Sequence, residues 1–172
     1  KVGRVMGVTK AYTTRVGEGP FPTEFEAKFG EKIRTIGAEF GATTGRPRRC
    51  GWFDAVAVRR SVLVGGMDEI VLTKIDVLDQ LETVKIAVAY RIEGKELSVF
   101  PSYLNADTPV EVVYEEMPGW QAPVGDCMTY EQLPLNARRY IERIEELLKV
   151  PVSVVSVGAD RNGTIIRKAS FF

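Results

Sequence analysis

Residues 133–149 constrain the fold of this chain more than any other stretch. Leu133, Ala137, Tyr140, Ile141, Ile144, Leu147 and Leu148 recur at the spacing of one helical face, while Arg138, Arg139, Glu142, Arg143, Glu145, Glu146 and Lys149 cover the opposite face. Thr129 and Gln132 match a capping box that would start the helix slightly earlier, and Pro134 suits its first turn. Pro151 then breaks the pattern, and Val152-Ser153-Val154-Val155 follows as a short apolar strand. A long one-sided helix feeding directly into a covered strand needs a sheet to pack on.

The same order occurs upstream. Asp54 is a good N-cap for Ala55–Val64, and Gly65-Gly66 a good stop. That segment is apolar nearly all round, which predicts a well-buried helix. Glu69-Ile70-Val71-Leu72-Thr73 is a run of the kind found in covered parallel strands, ending at Lys74-Ile75-Asp76 with a short helical turn over 77–81. Val84–Tyr90 is a further strand, and residues 95–118 hold one or two more, around Leu97–Phe100 and Glu111–Tyr114. Gly163 marks the turn before a last strand, Thr164–Arg167. The start leaves two readings open: Val5, Val8 and Tyr12 are spaced like a helix face, whereas Thr13–Val16 prefers a strand. Gly17–Thr23 is a shaped loop, with Thr23 placed to cap a short helix. The alternation predicts an α/β fold on a mostly parallel sheet.

Composition narrows the function. Lys and Arg total 23, as do Asp and Glu, so no overall basic field attracts a polyanion. No apolar run is long enough to cross a bilayer. There is no histidine, which excludes His-dependent triads and His-ligated metals within these residues. Cys50 and Cys127 lack metal-ligand spacing and predict reduced thiols in a cytoplasmic protein. Lys1-Val2-Gly3-Arg4 has neither an initiator Met nor an apolar signal core, which predicts a piece of a longer chain.

Against that neutral background, Gly41-Ala42-Thr43-Thr44-Gly45-Arg46-Pro47-Arg48-Arg49-Cys50-Gly51-Trp52 stands out. Its three arginines carry fixed charges and planar donor forks that match carboxylates and phosphates. They repel one another unless an anion lies among them, so the loop reads as a binder of acidic small molecules. A solvated basic face is the plain alternative, and a single-stranded nucleic-acid contact using Trp52 and Phe53 is another.

Two strand ends offer a second site, since ligands of open parallel sheets bind outside the carboxyl ends of strands. An Asp there accepts two parallel hydrogen bonds from N1–H and the 2-amino group of guanine, a donor pair that adenine lacks. Asp76 is so placed, with Lys74 on the same side of the strand register and its stem able to lie over a base. Ser156-Val157-Gly158, at the other strand end, allows a backbone N–H to approach guanine O6. A simple Lys74–Asp76 ion pair is the alternative. No G-x-x-x-x-G-K-[S/T] loop is present, so the base end of a nucleotide site stands without its phosphate end.

These residues resemble the adenylosuccinate synthetase family over nearly the whole chain. The resemblance rests on K-A-Y-T-T-R-V-G-E-G-P-F-P-T-E at 10–24, E-F-G-A-T-T-G-R-P-R-R-C-G-W at 39–52, L-T-K-I-D-V-L-D at 72–79, E-E-M-P-G-W at 115–120, Y-I-E-R-I-E-E-L at 140–147 and S-V-G-A-D-R at 156–161. It implies the C-terminal part of a larger single α/β domain, of P-loop-GTPase-like type, across residues 1–172. The implied activity is GTP-dependent ligation of IMP and L-aspartate, with Mg²⁺, in a homodimer, without nucleic acid or membrane. The γ-phosphoryl group would move to the O6 of IMP, and the aspartate amine would then displace it.

Carried over by residue, the resemblance makes Ala42, Thr43, Thr44, Gly45, Arg46, Pro47 and Arg48 the aspartate loop. Arg46 also reaches toward IMP, and Arg48 toward GTP. Val16 and Gly17 contact the IMP ribose. Lys74, Ile75 and Asp76 hold guanine, and Ser156, Val157 and Gly158 close over it. The family's phosphate loop, catalytic Asp and catalytic His are expected N-terminal to these residues, which contribute no metal ligand and predict no turnover alone. Pro47, Cys50 and Ala159 depart from the common family pattern, implying altered loop dynamics. A non-catalytic guanine-nucleotide module, or an inert structural fragment, is the alternative.

Overall fold

The computed structural model describes residues 3–101, 103–105 and 108–167. Strand wins over helix at the start: β1 is Met6–Lys10 and β2 is Thr13–Arg15. The Ala11 N–H extends the pairing by donating to Thr73 O at 2.8 Å, and Tyr12 is 2% exposed. The first helix, α1 (Ala27–Ile36), starts later than the Thr23 cap implied, with Glu26 at the N-cap and no side-chain cap bond. Thr23 is instead wholly buried, and its carbonyl accepts the Trp52 N–H at 2.9 Å.

Next come β3 (Arg49–Gly51) and β4 (Phe53–Asp54), running into α2 (Ala55–Gly65). Asp54 caps α2 as read, accepting from the Ala57 N–H at 3.0 Å, and left-handed Gly66 ends it. Its expected deep burial is wrong. Only Ala55, Val56 and Val62 are buried, while Leu63 and Val64 are 71% and 72% exposed.

The rest of the chain supplies β5 (Glu69–Thr73), a 3₁₀ turn at Ile75–Leu78, β6 (Thr83–Ile92), β7 (Lys95–Leu97) and β8 (Glu111–Pro118). They are followed by α3 (Leu135–Leu148), β9 (Val152–Ser156) and β10 (Thr164–Ile166). The Thr129–Gln132 capping box forms, but it closes a separate 3₁₀ turn at Tyr130–Gln132, and Pro134 takes the N-cap of α3. The face of α3 that was read as apolar packs inward through Ala137, Tyr140, Ile141, Ile144 and Leu148. Tyr140 donates to Ala11 O at 2.7 Å and so ties the helix to the end of β1.

The central sheet has the order β1-β5-β9-β10. The β1–β5 and β5–β9 pairs are parallel, and β10 is antiparallel to β9. The fold is therefore α/β with a largely parallel central sheet. A second sheet departs from the expected pattern: β6 pairs parallel with β4 but antiparallel with β7 and β8. A short connection explains the first of the two antiparallel pairs, because Glu93-Gly94 turns β6 straight back into β7, with Gly94 at φ 75°.

Candidate functional site

The parallel pairings bring the carboxyl ends of β1, β5 and β9 to one side of the central sheet. A cleft of about 300 Å³ lies there. Lys74, Asp76, Ser156 and Gly158 line it, so the two strand-end loops singled out in the sequence meet. Thr73, Val77, Ala159 and the end of α1, Ile36-Gly37-Ala38, complete the wall. That last wall was not anticipated, since the sequence gives no sign that the end of α1 folds back to this edge.

Lys74 and Asp76 do not share one side of a strand, because β5 ends at Thr73. Lys74 itself turns left-handed at φ 59°, and Asp76 sits in the following 3₁₀ turn. A left-handed non-glycine costs roughly 1 kcal/mol and is held by its surroundings. Here the Lys74 ammonium donates to Gly37 O at 2.5 Å and lies 3.5 Å from Glu39 Oε1. Lys74 therefore takes its short-range partners from the residues that follow α1, and the simple Lys74–Asp76 ion pair does not form.

Asp76 Oδ1 is buried with no hydrogen-bond partner. Burial pushes the Asp76 carboxyl above the ordinary aspartate range, against the pull of backbone N–H groups and Lys74. A buried acceptor without a donor is uncommon and costs about 1–3 kcal/mol. Ile75 and Val157 are wholly buried in the core, so their side chains pack rather than line the cleft. The Val157 N–H donates to Gly163 O at 2.9 Å, which leaves Gly158 as the loop's cleft-lining backbone donor. A wider depression of about 390 Å³ beside Asp79 contrasts with this cleft. Asp79 is already satisfied by Trp120 Nε1 at 2.7 Å and the Val124 N–H at 3.1 Å.

The arginine loop is closed at its base by Phe40 and Pro47, which form an isolated antiparallel bridge. Within it the Gly41 N–H donates to Arg46 O at 2.8 Å and the Gly45 N–H to Gly41 O at 2.9 Å, with Gly45 at φ 64°. Residues 42–47, including Thr43, Thr44 and Arg46, are exposed. The three arginines do not await one common anion, as their charges had suggested. Arg48 pairs with Glu39 Oε2 at 2.8 Å, and Arg49 with Glu24 Oε2 at 2.5 Å. Arg46 alone of the three has no carboxylate partner among the described residues. Arg49 also donates to Gly17 O at 3.3 Å and Gly19 O at 2.9 Å, which sets the course of the loop bearing exposed Val16. The two proposed substrate loops are thus joined through Arg49. Trp52 is half-buried and packs edge-on against Phe25 at 4.8 Å, and Phe53 is 1% exposed, so the Phe53 ring is not free to stack on a nucleobase.

The carboxylate that the sequence reading missed is Glu39. It is wholly buried between the loop and the cleft. Its Oε2 takes Lys10 and Arg48, each at 2.8 Å, and its Oε1 takes the Tyr12 hydroxyl at 2.6 Å. Burial alone would raise its pKa, but hydrogen bonds from Lys10, Tyr12 and Arg48 overcome that and hold it at about 2.

Taken together, these features define an α/β protein with a candidate ligand cleft, of mixed apolar and polar lining, at the carboxyl edge of its parallel strands. The family model described as adenylosuccinate synthetase matches residues 1–165, and the chain belongs to the adenylosuccinate synthetase family. The adenylosuccinate synthetase of Trichlorobacter lovleyi is 50% identical over 171 residues, covering 99% of this chain and 40% of the relative. That of Gloeobacter violaceus is 54% identical over 165 residues, covering 96% of this chain and 38% of the relative. A solved structure of fully ligated adenylosuccinate synthetase from Plasmodium falciparum superposes with a TM-score of 0.90 at 38% identity, covering 97% of this chain and 40% of that one. The chain spans about 40% of the length of the relatives it matches.

Proposed function

We propose that these residues form the guanine-binding and aspartate-binding part of a GTP-dependent ligase that joins IMP to L-aspartate. The observation that carries the reading is the unpartnered, buried Asp76 Oδ1 in a cleft that Lys74, Ser156 and Gly158 also line. Guanine offers two adjacent donors to such a carboxylate. Adenine offers none there, so the site would leave the carboxylate orphaned. The cleft volume is at the low end for ligand pockets and suits a base rather than a whole nucleotide. The Lys74 stem would cover one face of the base, and the Gly158 N–H would reach its O6.

Arg46, with Thr43 and Thr44 beside it, is the donor set for the carboxylates of L-aspartate. Val16 and Gly17, held through Arg49, would meet the IMP ribose. Arg48 reaches toward the nucleotide only by way of Glu39. Among the described residues no group of three His, Cys, Asp or Glu side chains is arranged to hold a metal ion, and on this reading the Mg²⁺ that would neutralise phosphate charge is held mostly by groups outside these residues. These residues hold no G-x-x-x-x-G-K-[S/T] phosphate loop and no histidine, and on this reading the groups that drive phosphoryl transfer are supplied from outside them. Residues 1–172 therefore bind and orient, and by themselves do not turn over. The homodimer and cytoplasmic setting belong to the same reading, and no described helix is long and apolar enough to cross a membrane.

Parallel calorimetric titrations with GDP, IDP and ADP test it, since IDP lacks only the 2-amino group. Affinity falling in the order GDP, IDP, ADP is expected, with the preference for GDP over IDP lost on Asp76→Asn. Equal affinity for GDP and ADP overturns the base assignment.

A further inference from the structure

The arginine loop and the base cleft have no side chain in common except through one buried carboxylate. Glu39 follows α1 and precedes the loop, and it is wholly buried. Its two oxygens are divided between the two sites. Oε2 receives Arg48, from the end of the loop, and Lys10, from the end of β1. Oε1 receives Tyr12 and faces Lys74 across 3.5 Å. The backbone reinforces the arrangement, since the Arg48 N–H donates to Glu39 O at 3.0 Å and the Glu39 N–H to Arg34 O at 2.8 Å. Arg34 Nε in turn holds Arg48 O at 2.7 Å.

A carboxylate serving only to stabilise the core would not need three cations from three separate segments around it. Lys10, Arg48 and Lys74 are all 24–37% exposed, so each keeps one side toward solvent or a ligand while Glu39 holds the other. A cation held on its inner side keeps a fixed direction, which lowers the ordering cost when a ligand arrives. Without Glu39 the three positive charges would repel, and Lys74 would keep only its bond to Gly37 O.

We propose that Glu39 is a positioning residue that sets the direction of Lys74 over the base and of Arg48 beside the aspartate loop, so that one buried carboxylate orients both halves of the site. This rests on the assignment of the cleft to guanine and of the loop to L-aspartate. Glu39 touches neither ligand. It acts through the two cations, and its removal perturbs both substrates together.

The test is a double-mutant cycle in the complete polypeptide that carries these residues, using Glu39→Gln and Lys74→Ala, with steady-state KM for GTP, L-aspartate and IMP. Glu39→Gln is expected to raise KM for GTP and for L-aspartate by roughly tenfold each, with the GTP effect absent when Lys74 is already Ala. An equal GTP effect in both backgrounds means that Glu39 acts through general stability and overturns the proposal. So does a wild-type KM for both substrates in Glu39→Gln. If Lys74→Ala alone leaves KM for GTP unchanged, the guanine assignment of the cleft fails and this inference falls with it, a result distinct from the other two. Should Glu39→Gln not fold, Glu39→Asp keeps the charge, withdraws the oxygens by one carbon–carbon bond and carries the same cycle.

Discussion

Replacing Asp76 by Asn is the sharpest perturbation of the base cleft, because it changes one atom and one charge at a buried position. Asp76 Oδ1 has no hydrogen-bond partner among the described residues, so on the guanine reading its donors come from the ligand. Guanine N1–H and the 2-amino group would each bond a charged acceptor, at about 1.5–3 kcal/mol per bond. Asp76→Asn replaces one oxygen by a donor that faces a donor, and removes the charge behind the other. A loss of about 3–6 kcal/mol is a factor of roughly 10²–10⁴ in kcat/KM for GTP. ITP on the unaltered protein loses only one of the bonds and should fall by roughly 10- to 150-fold. XTP carries a carbonyl where guanine has its amine, so the Asn amide can donate to it, and XTP should become the better substrate of the variant. Initial rates of product formation from IMP and L-aspartate in the complete polypeptide, with the three nucleotides in parallel, read all of this. A variant that loses GTP, ITP and XTP equally would place Asp76 in the scaffold and refute the reasoning.

The remaining expectations concern charge, packing and completeness. Burial raises the Asp76 carboxyl, and guanine donors bond its charged form, so nucleotide binding lowers that pKa again and releases protons in mildly acid solution; calorimetry in buffers of different ionisation enthalpy measures this, and no buffer dependence would contradict it. Glu39 is shifted the other way, from 4.5 to about 2, so its contribution to stability is fully present above pH 4.5 and is lost as pH falls toward 2. Acid titration followed by circular dichroism should show that loss, and Glu39→Gln should lack it. Asp54 both caps α2 and accepts from the buried Tyr90 hydroxyl, so Asp54→Ala should cost about 2–5 kcal/mol in denaturant unfolding, a lost cap plus an orphaned hydroxyl. The 172-residue polypeptide alone should yield no adenylosuccinate from GTP, IMP and L-aspartate, and measurable product would disprove that.

Much of the fold was legible because its helices and strands announce themselves locally. Asp54 and Gly66 bracket α2 through bonds within a few residues, and the stripe from Ala137 to Leu148 needs only a helix to become a face. What could not be read depends on distant partners. Leu63 and Val64 look like core residues, yet both lie largely exposed on the outer side of α2. Thr23 looks like a cap but is buried beside Gly51, where a Cβ would lie 2.4 Å from the Thr23 carbonyl oxygen. The strand read at Val84–Tyr90 exists, but its neighbours, and hence its place in a second sheet, follow from a turn at Glu93-Gly94 that pattern alone does not assign.

The candidate site shows the same division at the scale of single charges. Lys74, Asp76 and Ser156 could be picked out because strand ends in a parallel sheet are where ligands bind, and that rule needs only the strands. The arginine loop misled in one respect. Three adjacent positive charges look like a demand for an external anion only while their internal partners are unknown, and Glu24 and Glu39 lie 25 and 9 residues away from the arginines they hold. Pairing two of the three changes what the third means. Arg46 is left as the member of the trio that can meet a substrate carboxylate without first giving up a protein one, whereas Arg48 must exchange or share Glu39 to do so. Neutralising Arg46 should therefore raise KM for L-aspartate with little change in thermal stability, and neutralising Arg48 should raise that KM and lower thermal stability as well. If Arg46→Ala unfolds the protein as readily as Arg48→Ala, the division between a ligand-facing and a structure-facing arginine is wrong.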